Sequence, residues 1–416
     1  MVIQTVLALS IDSSGIAAGV FMNTYLDTQR ISWLVLIYGS LLAARGDIGI
    51  LAGKLSTALN LETVRPAYRG NTEEFKNLLV SIITIITVDA LVIGCLTYGS
   101  NLVLFPKELR VLNPTLFFVI PLVVLYGATM ISIGITTTLG FGLYRKKLNL
   151  DLYIVPLTNS LNNIIMTVLY VAMVLGLKPW GKELQTDPLL GEYYPAPTQG
   201  DLFATYLTII PVALLLGGVI YLNRRRRKDK RYTKIVKEAV PMILLGMVCG
   251  VVTGMLLTKM EPVLVKYPQL WITLPALLVL MEDQSNMTGN SLTTRFAKKE
   301  YEPKFRTIRK PRVLLKFGGI GTGGVVVTGL IALIGILVRI KENGLTLVLG
   351  GVVLLVVLAN ILSYVLLMLV MFGVIVLSYK RGVDPDNFLI AFFSSFADMV
   401  YVAMLLLLFA ITLGIS

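Results

Sequence analysis

Asp398 stands near the middle of NFLIAFFSSFADMVYVAMLLLLFAITLGI (Asn387 to Ile415), with Ser394 and Ser395 on the turn before it. The run is long enough to cross a bilayer. An ionised carboxylate at its centre costs roughly 2.5–3.5 kcal/mol on insertion scales, so this side chain must face protein, water or a cation. An earlier stretch repeats the pattern with an amide. A shift of 235 residues lays Tyr379 over Tyr144, Asp386 over Asp151 and Ser395 over Ser160, and brings Asn163 opposite Asp398. Asn159, Ser160 and Asn163 fall at i, i+1 and i+4, the spacing of Ser394, Ser395 and Asp398, so one helix face can present each trio.

Further charge lies inside apolar runs. SLLAARGDIGILAGKLSTALNL holds Arg45 and Asp47, and ALLVLMEDQSNMTGNSLTTRF holds Glu282 and Asp283, followed by Asn286 and Asn290. Asp47 meets Asp283 at a shift of 236. Arg45 suits an ion pair that fastens helices, whereas Asp47 and Asp283 suit either such a pair or a cation. Glycines 46, 49, 53 and 289 permit a broken or closely packed helix whose freed carbonyls face a cation. Asp12 and Asp89 have no acidic counterpart, since Met247 and a glycine-rich stretch occupy the matching places. Asp12, with Ser13 and Ser14, fits a cap at a helix break or a step on a coupling-ion or proton path. Asp89, with Thr84 and Thr87 nearby, stays open between a structural role and a functional one.

Carboxylates, amides and hydroxyls suit a hard cation. Histidine is absent, and the two cysteines, Cys95 and Cys249, sit singly in apolar runs, so the usual ligands of zinc, copper and iron are missing. The same absence excludes histidine-based nucleophilic and zinc-peptidase chemistry, and the chain reads as no enzyme. Magnesium gives up water reluctantly and is held by one or two carboxylates with its waters bonded to carbonyls and amides. Sodium and protons remain alternatives.

The elements that must position these groups are membrane helices. At 56% hydrophobic and 15% charged, with a mean hydropathy of +0.79, 416 residues cannot clothe a soluble fold. The fold expected is an all-α polytopic membrane protein in the lipid bilayer. Apolar runs predict about eleven spans: 2–22, 31–58, 77–99, 114–143 and 151–177, then 202–222, then 238–258, 270–295, 317–338, 345–378 and 387–415. The formal charge of +13 gathers in short segments such as Arg224 to Arg231 and Arg295 to Lys316. That distribution follows the positive-inside rule and does not suit nucleic acid. It predicts a cytoplasmic N-terminus and an external C-terminus, in a cell membrane. The first run lacks a basic flank and a cleavage site, so it should be retained as a helix.

Five spans, one span and five spans make two repeats, 1–178 and 235–416, joined by an external loop, a linker helix and a basic loop at 179–234. An odd repeat would invert its copy, but the linker restores direction. The repeats should therefore run parallel about a pseudo-two-fold axis along the membrane normal, with their polar positions converging on it. GIAAG (Gly15 to Gly19) lies over GVVTG (Gly250 to Gly254) as a small-residue packing face. Such an internal pseudo-dimer can function as a monomer.

ARGDIGILAGKLSTALNL (Ala44 to Leu61), PALLVLMEDQSNMTGNSLTTRFA (Pro275 to Ala297), DPDNFLIAFFSSFAD (Asp384 to Asp398) and its counterpart LDLYIVPLTNSLNN resemble the MgtE-type magnesium transporters, in the two-repeat form typified by solute carrier family 41. The resemblance implies an ion path between the repeats for Mg2+, or for other divalent cations or Na+, with Asp398 at the family's pore aspartate. Members of this type usually carry Lys-Gly-Asn-Leu-Glu where this chain has Arg45, Gly46, Asp47, Ile48 and Gly49, and Asn163 replaces the acid in the first copy. The expected function is divalent cation transport. Sodium- or proton-coupled exchange is the alternative, and a membrane scaffold or lipid-acting enzyme the rival from another class.

Overall fold

The computed structural model describes residues 2–25, 32–60, 62–104, 114–148, 150–177, 199–297, 299–343, 347–383, 385 and 389–413. No strand occurs among them, and the protein is a polytopic all-α membrane protein. Helices satisfy their own backbone polar groups, which is what apolar runs in a bilayer require. The order is α1 (Val2–Leu9), a 3-10 turn (Ser10–Ser14), α2 (Gly15–Tyr25), α3 (Ser32–Ala44), α4 (Gly46–Asn60), α5 (Glu73–Leu104), α6 (Pro114–Arg145) and α7 (Leu150–Leu177). There follow α8 (Gln199–Arg226), α9 (Lys230–Lys259), α10 (Glu261–Lys266), α11 (Pro268–Ala297), α12 (Pro311–Asn343), α13 (Leu347–Lys380) and α14 (Leu389–Leu413).

Eight helical stretches are long and apolar enough to cross a membrane among the described residues. The three other expected spans fall on α8, on α11, whose polar residues lower its hydropathy, and on the α3–α4 pair, which is interrupted. The 31–58 run breaks at Arg45. There the Arg45 N–H donates to the Leu42 carbonyl at 3.3 Å before α4 begins at Gly46. The 2–22 run likewise breaks into α1 and α2 around Asp12. By contrast α11 continues unbroken through Pro275 and Gly289, so the matching run of the second half packs as one helix.

Helix contacts pair up under the shift seen in the sequence. α3 packs on α9 as α2 packs on α11; α5 packs on α9 as α1 packs on α12; α4 meets α14 as α7 meets α11. Close approach explains the small residues. A Cβ built on Gly254 would lie 2.9 Å from the Leu36 carbonyl oxygen, and one on Gly19 would collide with the Ile272 carbonyl. Gly19 overlays Gly254 at 235 residues, and Leu36 overlays Ile272 at 236, so the same contact is made twice. At the centre, α4 and α11 each pack on both α7 and α14.

Candidate functional site

Each polar group at the centre is set in place by a helix of different origin in the chain. The 3-10 turn supplies Asp12, the α3–α4 junction Arg45, α7 the trio Asn159, Ser160 and Asn163, α11 Glu282 and Asp283, and α14 Ser394, Ser395 and Asp398. All of these side chains are buried. Arg45 reaches across to the second half. Its Nε donates to Glu282 Oε2 at 2.7 Å, and its Nη2 donates to Asp398 Oδ1 at 2.9 Å and Oδ2 at 3.1 Å. Asn159 Nδ2 donates to Glu282 Oε1 at 3.0 Å and to Asp283 Oδ1 at 2.7 Å. Ser160 Oγ donates to Asp12 Oδ1 at 2.7 Å, and the Asp12 carboxyl touches that of Asp283. One network therefore runs from Asp398 through Arg45, Glu282, Asn159 and Asp283 to Asp12.

A second acidic contact lies beside it. Asp47 on α4 meets Asp89 on α5, and neither Asp89 oxygen has a hydrogen-bond donor. Asp47 and Asp283, paired by the sequence shift, thus take different nearest neighbours, with Glu282 close to both. Asp12, open between a cap at a helix break and a step on a coupling-ion or proton path, lies in the 3-10 turn at that break, and its Oδ1 accepts from Ser160 on α7.

Asn163, opposite Asp398 in the repeat pattern, is buried with neither side-chain polar atom bonded; Asn286 is the same, and Ser394 Oγ is also unbonded. Asn290 is half-buried further along α11. Sequence reasoning passed over Asn162, whose Nδ2 donates to the Arg45 carbonyl at 3.5 Å and whose Oδ1 accepts from Ser132 at 2.9 Å. Its signal was visible as one more amide in an apolar helix, one step off the face assigned to Asn163. Also unassigned were Gln284 and Asn360, joined when Asn360 Nδ2 donates to Gln284 Oε1 at 3.2 Å.

The charge balance decides what this arrangement can do. Among the described residues the buried ionisable acids and bases are Asp12, Asp47, Asp89, Glu282, Asp283 and Asp398 against Arg45 alone. Burying an unpaired charge costs several kcal/mol, and carboxylates only accept hydrogen bonds, so acid-to-acid contacts need a proton or cation between them. No three acids converge as a metal cage among the described residues. Carboxylates, amides and hydroxyls are hard oxygen donors, which suit a divalent cation in general.

Residues 274–408 match the MgtE family, described as a divalent cation transporter. That stretch runs from within α11 to most of α14, including Glu282, Asp283 and Asp398, and supports divalent cation transport in general. The description is of a transporter and not of an enzyme. No curated protein matches the chain, and no solved structure does.

Proposed function

We propose, from the MgtE divalent cation transporter domain at residues 274–408, that this protein moves magnesium across the membrane between two parallel repeats, 1–178 and 235–416, joined by the 179–234 segment. The observation that carries the reading is the excess, among the described residues, of six buried acids over one buried base, drawn from both halves of the chain. Asp398 and Asn163 flank the path, with Asp47 and Asp283 at its approach and Asn159, Ser160, Ser394, Ser395, Asn286 and Asn290 available to the ion's water shell. The N-terminus is cytoplasmic and the C-terminus external, and the pseudo-dimer works as a monomer.

Asp12 and Asp89 favour a second reading, exchange coupled to sodium or protons, because both break the repeat symmetry where a passive symmetric pore needs no acid. A scaffold or a lipid-acting enzyme, by contrast, gives no reason for an uncompensated acidic centre. Magnesium titrated onto the purified protein should raise its melting temperature, since a ligand that binds only the folded state stabilises it by about 2.7 kcal/mol at a hundredfold excess over Kd. Asp398→Asn should lose that rise. An equal rise in the variant, or none in the wild type, defeats the proposal.

A further inference from the structure

Arg45 spends its reach across the interface between the halves. One nitrogen is bonded to Glu282 at 2.7 Å and another to both oxygens of Asp398 at 2.9 and 3.1 Å, while Nη1 is buried without a partner. We propose that Arg45 is a tethered competitor of the transported ion: its guanidinium takes the cation's place on Asp398 and Glu282 when no ion is bound, and it admits divalent ions while turning away monovalent ones. The inference rests on Asp398 being a cation ligand.

Asp398 and Glu282 together carry two negative charges, and Arg45 cancels one of them. A monovalent ion that displaced Arg45 would bring no more charge than the guanidinium and would compete against a group held at high effective concentration by its own backbone. A divalent ion brings twice the charge and neutralises both carboxylates. Arginine stays protonated at any pH the protein meets, so this competitor cannot be titrated away.

The backbone supports a side chain that moves. Arg45 lies at the break between α3 and α4, outside the regular helical ladder. Its N–H is held by Leu42 at 3.3 Å and its carbonyl accepts from Asn162 at 3.5 Å, both long bonds. The next residue, Gly46, sits directly under the turn of α14 that carries Asp398, where a Cβ would collide with the Ser394 side chain. The joint is therefore pressed against the same turn its guanidinium grips. Asn159 shares Glu282 with Arg45 and carries an unbonded Oδ1, an acceptor available to the displaced guanidinium.

The test compares Arg45→Met, Arg45→Lys, Glu282→Gln, the double variant Arg45→Met with Glu282→Gln, and Asp398→Asn, as full-length purified protein titrated with magnesium chloride or sodium chloride and read by calorimetry and thermal melting. Arg45→Met should bind magnesium about tenfold tighter or more, and should gain a sodium-dependent stabilisation absent from the wild type. Arg45→Lys, with its charge kept, should stay near the wild type in both. If Arg45→Met fails to fold, the double variant removes one charge of each sign, and it should bind magnesium tighter than Glu282→Gln alone. Unchanged or weaker magnesium binding without Arg45, alongside lost binding in Asp398→Asn, overturns the inference and leaves the transport reading standing. Wild-type binding in Asp398→Asn overturns both.

Discussion

Glu282→Gln is the substitution whose sign separates pairing from charge excess. Glu282 accepts from Arg45 Nε through one oxygen at 2.7 Å and from Asn159 Nδ2 through the other at 3.0 Å. Glutamine keeps the volume but offers one oxygen and one NH2, so one of the two buried donors must face another donor. Leaving a buried neutral donor unsatisfied costs about 1–3 kcal/mol, and breaking a buried ion pair from one side costs about 3–5 kcal/mol. Arg45 keeps Asp398, which reduces the second cost. Removing one of six buried acids acts the other way, by relieving repulsion among carboxylates. Because the Arg45 and Asn159 contacts are direct, pairing should win, with a net loss of about 3 kcal/mol. Melting followed in detergent with a chelator present should show an apparent temperature several degrees below wild type, at roughly 2 °C per kcal/mol for a large chain. A variant that melts at or above the wild-type temperature would refute the reasoning, because charge excess would then outweigh the Arg45 bridge.

Two other substitutions probe parts of the frame. Asp89→Asn replaces an acid facing Asp47 with an amide that can donate to it, so the chelated protein should gain about 1–2 kcal/mol in stability, seen as a higher melting temperature; a loss would mean Asp89 has a favourable role in the empty protein. Gly254→Val drives a side chain into the Leu36 backbone and should cost about 1–3 kcal/mol, whereas Gly176→Ala, with open space around it, should be nearly neutral, and equal melting of the two would contradict the close α3–α9 packing.

Much of the frame was legible because apolar run length and helix length answer to the same bilayer. The run at 114–143 became α6 at Pro114–Arg145, and that at 151–177 became α7 at Leu150–Leu177. Hydropathy could not show the break at Arg45, because apolar residues continue on both sides; Gly46 was the hint, and its reason is the Ser394 side chain above it. In the site, depth and spacing singled out Asp398, Asp47, Glu282 and Asp283. Partner identity was not legible. Arg45 reaches Asp398 across 353 positions and Ser160 reaches Asp12 across 148, pairings set by how helices cross and not by any local pattern. The repeat shift was a guide to backbone packing, shown by Gly19 and Gly254, and a poorer guide to side-chain chemistry, shown by Asp47 and Asp283 choosing different nearest neighbours.

Magnesium flux into proteoliposomes tests the central claim most directly. Vesicles loaded with a magnesium-sensitive dye should fill when they carry the wild-type protein and stay dark when they carry Asp398→Asn at the same density, with sodium and proton gradients imposed in turn to reveal coupling. Equal flux through both proteins, or none through the wild type under any gradient, would contradict a cation path past Asp398.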